Sequence, residues 1–163
     1  MKKIFNSERG FTLVELGIVF GIIALLFGFV TFNLVNVQKV TSINSVIDTL
    51  VSDMKSQQTK AMAGAGNSEA GESFGIYLQS DRYILFTGTT YSSTNSSNFT
   101  IMLDSNIEFV NSTFPDNSLV FFHQSGELNG FIDGMNTIAI QNTQGLNKKT
   151  ITVNRYGVAT KIN

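Results

Sequence analysis

This chain of 163 residues has no cysteine and no tryptophan, one proline and one histidine. Without cysteine it forms no disulfide and no thiolate-bound metal site. Charged residues are only 14% of the chain and nearly cancel, at a net −1, so no strongly basic balance points to nucleic acid as the main partner. Proline is absent before Pro115, and nothing ahead of it forces a helix to break. The acids Asp104, Glu108, Asp116 and Asp133 are dispersed. The loop Gly126–Gly134 lacks the alternating acids of a calcium-binding loop. No metal or cofactor is expected. His123 has Ser125 and Glu127 nearby, but a nucleophile and its base must meet in space, and no glycine-flanked serine elbow is present. A histidine at a strand end is the plainer reading, and no enzymatic activity is expected.

What the chain does have is one long apolar run. Lys2, Lys3 and Arg9 lead to Gly10, and the apolar segment opens at Phe11 and ends near Phe32. As a helix it would span about 33 Å, the thickness of a bilayer core. Glu15 is the only ionisable group between Phe11 and Gln38. A carboxylate at a membrane helix centre costs roughly 2.5–3.5 kcal/mol, so it normally signals a partner or a function. Gly17 and Gly21 form a small-xxx-small pair for close helix packing, with Gly28 as a third point of approach. An ordinary secretory signal with Leu16–Val30 as its core would want small residues just beyond, and Asn33–Val37 supplies none.

Past the apolar run the pattern changes. Val40, Ile43, Ile47, Leu50, Met54 and Ala61, with Gln57 as the weak member, alternate by three and four and predict one buried stripe. A helix from Phe11 to Met62 would be about 78 Å long. The small residues of Gly64–Glu72 predict its stop. The period then becomes two. Strands are predicted around Phe74–Leu78, Tyr83–Thr87, Phe99–Leu103, Ile107–Val110, Leu119–Phe122, Thr137–Gln141, Thr150–Asn154 and Val158–Lys161. Ser80-Asp81 and Asn154–Gly157 are the expected turns, and Ser92–Asn98 a polar loop. The expected fold class is α+β: a long N-terminal helix, membrane half plus amphipathic half, packed on a C-terminal antiparallel β-sheet domain.

Residues 9–16, RGFTLVEL, resemble the class III signal of type IV pilins and type II secretion pseudopilins. The resemblance implies a leader over 1–10, cut after Gly10 by a prepilin peptidase that also methylates the new amino terminus, Phe11. Removing the leader leaves a side-chain charge of about −3. It also implies a membrane and assembly half over 11–32, an amphipathic half over 33–63 and a β-rich head over 64–163. Glu15 matches the family's glutamate at the fifth mature position, where it meets the freed amine of Phe11 as subunits enter a filament. The head is similar to the GspH/FimT group of minor subunits, through FGIYL at 74–78, LVFF at 119–122 with Gly126, and ITVNRYGV at 151–158. The implied partners are the peptidase, other pilin or pseudopilin subunits and the inner membrane, with the head outside the cytoplasm. The family's mid-helix proline is missing here, the corresponding stretch being Val30-Thr31-Phe32. A second reading is a membrane-anchored DNA-binding minor pilin of a DNA-uptake system. Its candidate phosphate contacts are Lys148, Lys149, Arg155 and Lys161. The family's glycine–arginine–x–arginine signature has lost both arginines at Gly157–Lys161, and a charge-protected edge hairpin is the simpler account.

Overall fold

A computed structural model describes residues 10–65, 71–144 and 147–163, without the side chains of 29–42. Apart from Gly10, the expected leader lies outside the described residues, as do the middle of the Gly64–Glu72 loop and the side chain of Val40. The chain divides into two compact units, Met1–Gln38 and Lys39–Asn163. Helical backbone is assigned over α1, Leu13–Met62, which has parts in both.

In the first unit every described residue, from 10 to 28, is exposed. The stretch is apolar on all sides, so it has no single stripe to bury. In the second unit the stripe behaves as its spacing predicts. Ile43, Ile47, Leu50, Met54, Gln57 and Ala61 are all buried. Gln57 belongs there because its amide donates to the carbonyls of Gly75 and Phe86, at 2.9 and 3.4 Å. The placed donor offsets part of the cost of burying the amide, whose Oε1 has no hydrogen-bond partner among the described residues.

Eight strands follow: β1 Phe74–Leu78, β2 Arg82–Thr87, β3 Phe99–Met102, β4 Ile107–Ser112, β5 Ser118–Phe121, β6 Thr137–Asn142, β7 Lys148–Val153 and β8 Ala159–Ile162. Each falls where the period of two predicts one. They form two four-stranded sheets, ordered β3-β2-β1-β5 and β4-β6-β7-β8. All pairings are antiparallel. One apolar cluster joins α1 (Ile43, Ile47, Leu50, Met54), the first sheet (Ile76, Leu78, Tyr83, Leu119) and the second (Phe109, Ile138, Ile140, Ile151).

The expected fold is therefore corrected at its central element. The expectation was a long helix with an apolar membrane half and an amphipathic half, packed on one β-sheet domain. The helical residues with described side chains fall in two stretches, 13–28 and 43–62, which lie in different units, and 43–62 alone carries a buried stripe. Among the described residues no helix is long and apolar enough to cross a membrane. The strands form two sheets. The physical reason for the first point is the pattern itself. A one-sided stripe docks on strands, and a segment apolar all round does not define a docking face. The α+β class remains.

Loops from the far end of the chain hold the end of α1. The Gln124 amide donates to the Ala61 carbonyl at 3.1 Å, satisfying one of the helix's terminal acceptors. The Gln58 side chain donates to the carbonyls of Gly126 and Tyr156, at 2.9 and 2.7 Å. Gly157 makes the last of these turns possible. Its φ is +69°, and a Cβ there would run into the Phe121 ring.

Candidate functional site

The candidate site begins at Gly10, exposed and ahead of the helix, with exposed Phe11 beside it. The helix is started by Thr12. Its hydroxyl oxygen accepts the Glu15 amide at 3.2 Å, and its carbonyl accepts the Leu16 amide at 3.1 Å. The Thr12 hydroxyl also stands 3.5 Å from a Glu15 carboxylate oxygen. Threonine at the N-cap and glutamate three residues on is the pattern of a capping box. A carboxylate in the first helical turn is further favoured by the positive end of the helix dipole. Glu15 thus has a local role, starting the helix, that the T-x-x-E spacing at 12–15 signals and the reading by resemblance passed over.

Beyond Glu15 the exposed segment is a continuous apolar surface. Leu16, Phe20, Leu25, Leu26 and Phe27 all stand open. Gly17, Gly21 and Gly28 face open space, with no atom within 4 Å of where a Cβ would lie. An exposed apolar surface of this extent is unusual on a folded chain.

The four basic candidates do not converge. Lys148 and Lys149 open β7, Lys161 sits on β8 opposite Thr152, and Arg155 occupies the turn beyond the far end of β7. From Lys149 to Arg155 the chain covers six residues, ~20 Å if extended. The Lys149 ammonium donates to the Asn44 side-chain oxygen of α1 at 2.8 Å, so it also ties the second sheet to the helix.

His123 stacks at a tilt on Phe122, and the Ser125 hydroxyl oxygen accepts the Glu127 amide. These residues form a tight turn rather than a nucleophile–base pair. Among the described residues no three or more acidic or histidine side chains group as a metal site. One buried polar pair was missed by sequence reasoning. Tyr83, fully buried on β2, donates its hydroxyl to Asp53 of α1 at 2.6 Å. Burial first, then the Asp53 hydrogen bond and charge, push the Tyr83 phenol well above its ordinary range. Comparison of the chain with protein-family models, curated proteins and solved structures finds no match.

Proposed function

We propose that this protein is a prepilin-like structural subunit, cut after Gly10, methylated on Phe11 and assembled with other subunits through its N-terminal segment. The observation that carries the reading is the stretch 13–28, helical and apolar on every exposed side, headed by one carboxylate five residues after a glycine. A surface of this kind is stabilised only by lipid or by other apolar helices. The β-rich unit, by contrast, has a core of its own and needs no partner to bury it. The role is structural rather than catalytic. The work is done at the inner membrane, where the peptidase acts, and in a pilus or pseudopilus as a minor subunit.

Mass spectrometry of protein made in cells with a prepilin peptidase tests the processing step. The expected mature chain begins at Phe11 with one added methyl group. A mature chain beginning anywhere else overturns the reading.

Glu15→Gln then separates assembly from capping. Glutamine at this position still serves a capping box but carries no charge. If Glu15 pairs with the Phe11 amine, the variant is processed and stable yet absent from sheared filaments, because an uncompensated buried charge is strongly unfavourable. Equal recovery of variant and parent would leave Glu15 as a cap alone.

A further inference from the structure

The two sheets have four outer edges, and three of them are blunted. β5 is bridged to Leu128, and its Val120 carbonyl accepts the Asn129 amide. β4 is interrupted by a register shift between Phe109 and Asn111. β8 carries Lys161, and its pairing with β7 shifts between Thr152 and Val153. Bulges, charge and covering loops are the usual protections of a sheet edge. β3, though short, has none of these among the described residues: Phe99-Thr100-Ile101-Met102 is uncharged and regularly paired on its inner side, with Phe99 66% and Met102 57% exposed.

We infer that β3 is a self-pairing edge, which joins a second copy of this chain antiparallel about a two-fold axis at Ile101. The register follows from the backbone. The Leu103 amide donates to the Asp81 carbonyl, and Ile101 and Phe99 oppose Tyr83 and Leu85. The N–H and C=O groups of these odd-numbered residues thus turn toward β2, and those of Thr100 and Met102 turn outward. An antiparallel copy satisfies them when Thr100 meets the other copy's Met102. That register places Ile101 against Ile101 and Phe99 against Leu103. It sets Asn98 against Asp104, so no like charges oppose each other.

The side chains fit the same register. Phe99, Ile101 and Leu103 lie on the face where Tyr83 meets Asp53 of α1. A cavity of about 170 Å³ opens there beside Leu103, with Val46, Tyr83 and Ile101 as its apolar wall and Ser45, Thr49 and Asp104 as its polar rim, Met102 completing the lining. In the pair each exposed Phe99 ring enters the other copy's cavity, and the contact is isologous. A strand this short makes a small, reversible interface. It is independent of the N-terminal segment and of the function proposed above.

The absence of cysteine makes the test direct. Ile101→Cys in the full-length chain, held in detergent micelles, puts two thiols on a non-hydrogen-bonded antiparallel pair. The Cα separation there is ~4.5 Å, within the range of a disulfide. Under mild oxidation a covalent dimer is expected at least about ten times faster than from Thr160→Cys on the β8 edge, which controls for chance collision in a micelle. Adding Phe99→Asp should cut the Ile101→Cys rate by a similar factor. Mixing Phe99→Cys chains with Leu103→Cys chains should yield the mixed disulfide in preference to either homodimer, a readout that leaves Ile101 intact. Equal rates at positions 101 and 160, no response to Phe99→Asp, or no preference for the mixed disulfide would each overturn self-pairing at β3.

Discussion

Between residues 13 and 28 every side chain is exposed, whereas between 43 and 62 one is buried at each third or fourth position. Both stretches are helical and rich in apolar residues. What separates them is both composition and arrangement: 13–28 holds one charged residue, and 43–62 confines its apolar residues to one stripe among many polar ones. Apolar side chains confined to one stripe find their partners within the same chain, on the two sheets. Apolar side chains spread round a helix leave their partners to be supplied from outside. Two segments of one helical run thus differ in what they bury: 43–62 completes the core of the β-rich unit, and 13–28 buries nothing among the described residues.

The sharpest way to break this contrast is a matched pair of leucines. Leu50 is 0% exposed and Leu25 66%. Leu50→Ala should destabilise the head by about 2–5 kcal/mol, through lost burial and the cavity left behind. Leu25→Ala should move it by less than about 0.5 kcal/mol. Thermal unfolding followed by circular dichroism measures both. Equal effects would mean that the two stretches are not energetically distinct.

Glycines give the next comparison. Gly157→Ala combines a left-handed backbone with a collision against Phe121, and should cost about 2–4 kcal/mol. Gly17→Ala meets only open space, and should leave the isolated chain unchanged or slightly more helical. If Gly17 serves close helix packing, the same variant should instead be depleted from assembled filaments, a difference visible only outside the single chain. The smallest effect is at Thr12. Removing its hydroxyl with Thr12→Ala should loosen the first helical turn by about 1 kcal/mol. The change should appear as faster amide exchange confined to residues near Glu15, with the unfolding of the head unmoved.

Most of the head is legible in the sequence alone. Alternation from Phe74 onward marks all eight strands, and the three-four spacing from Ile43 to Ala61 marks the helix face that they cover. These signals are local, and local periodicity is what a sequence displays most openly. The division into two sheets is not local. β1 reaches past three strands to pair with β5, and β4 pairs with β6 across the turn of Pro115–Asn117 and β5. Nothing in the alternation of one strand names its neighbour. Gln57 reads as a flaw in the stripe because its acceptors, Gly75 and Phe86, lie 18 and 29 residues away. At the candidate site the difficulty is different. Thr12 and Glu15 carry a plain local signal for a helix cap, and a motif that draws the eye there for another reason hides it. The protection of three sheet edges and the bareness of β3 follow only from the strand pairing.

The clasp on the end of α1 has a consequence for the order of events in folding. Gln58 is fastened to Gly126 and Tyr156, 68 and 98 residues further along, and Asn44 to Lys149, 105 residues away. Closing such loops costs chain entropy before any contact forms, which slows folding in chains dominated by distant pairings. During synthesis the helix leaves the ribosome early, with an apolar stripe and none of its fasteners yet made. The β-rich unit cannot be finished until Tyr156 has emerged, so for most of its manufacture the stripe of 43–62 stands uncovered.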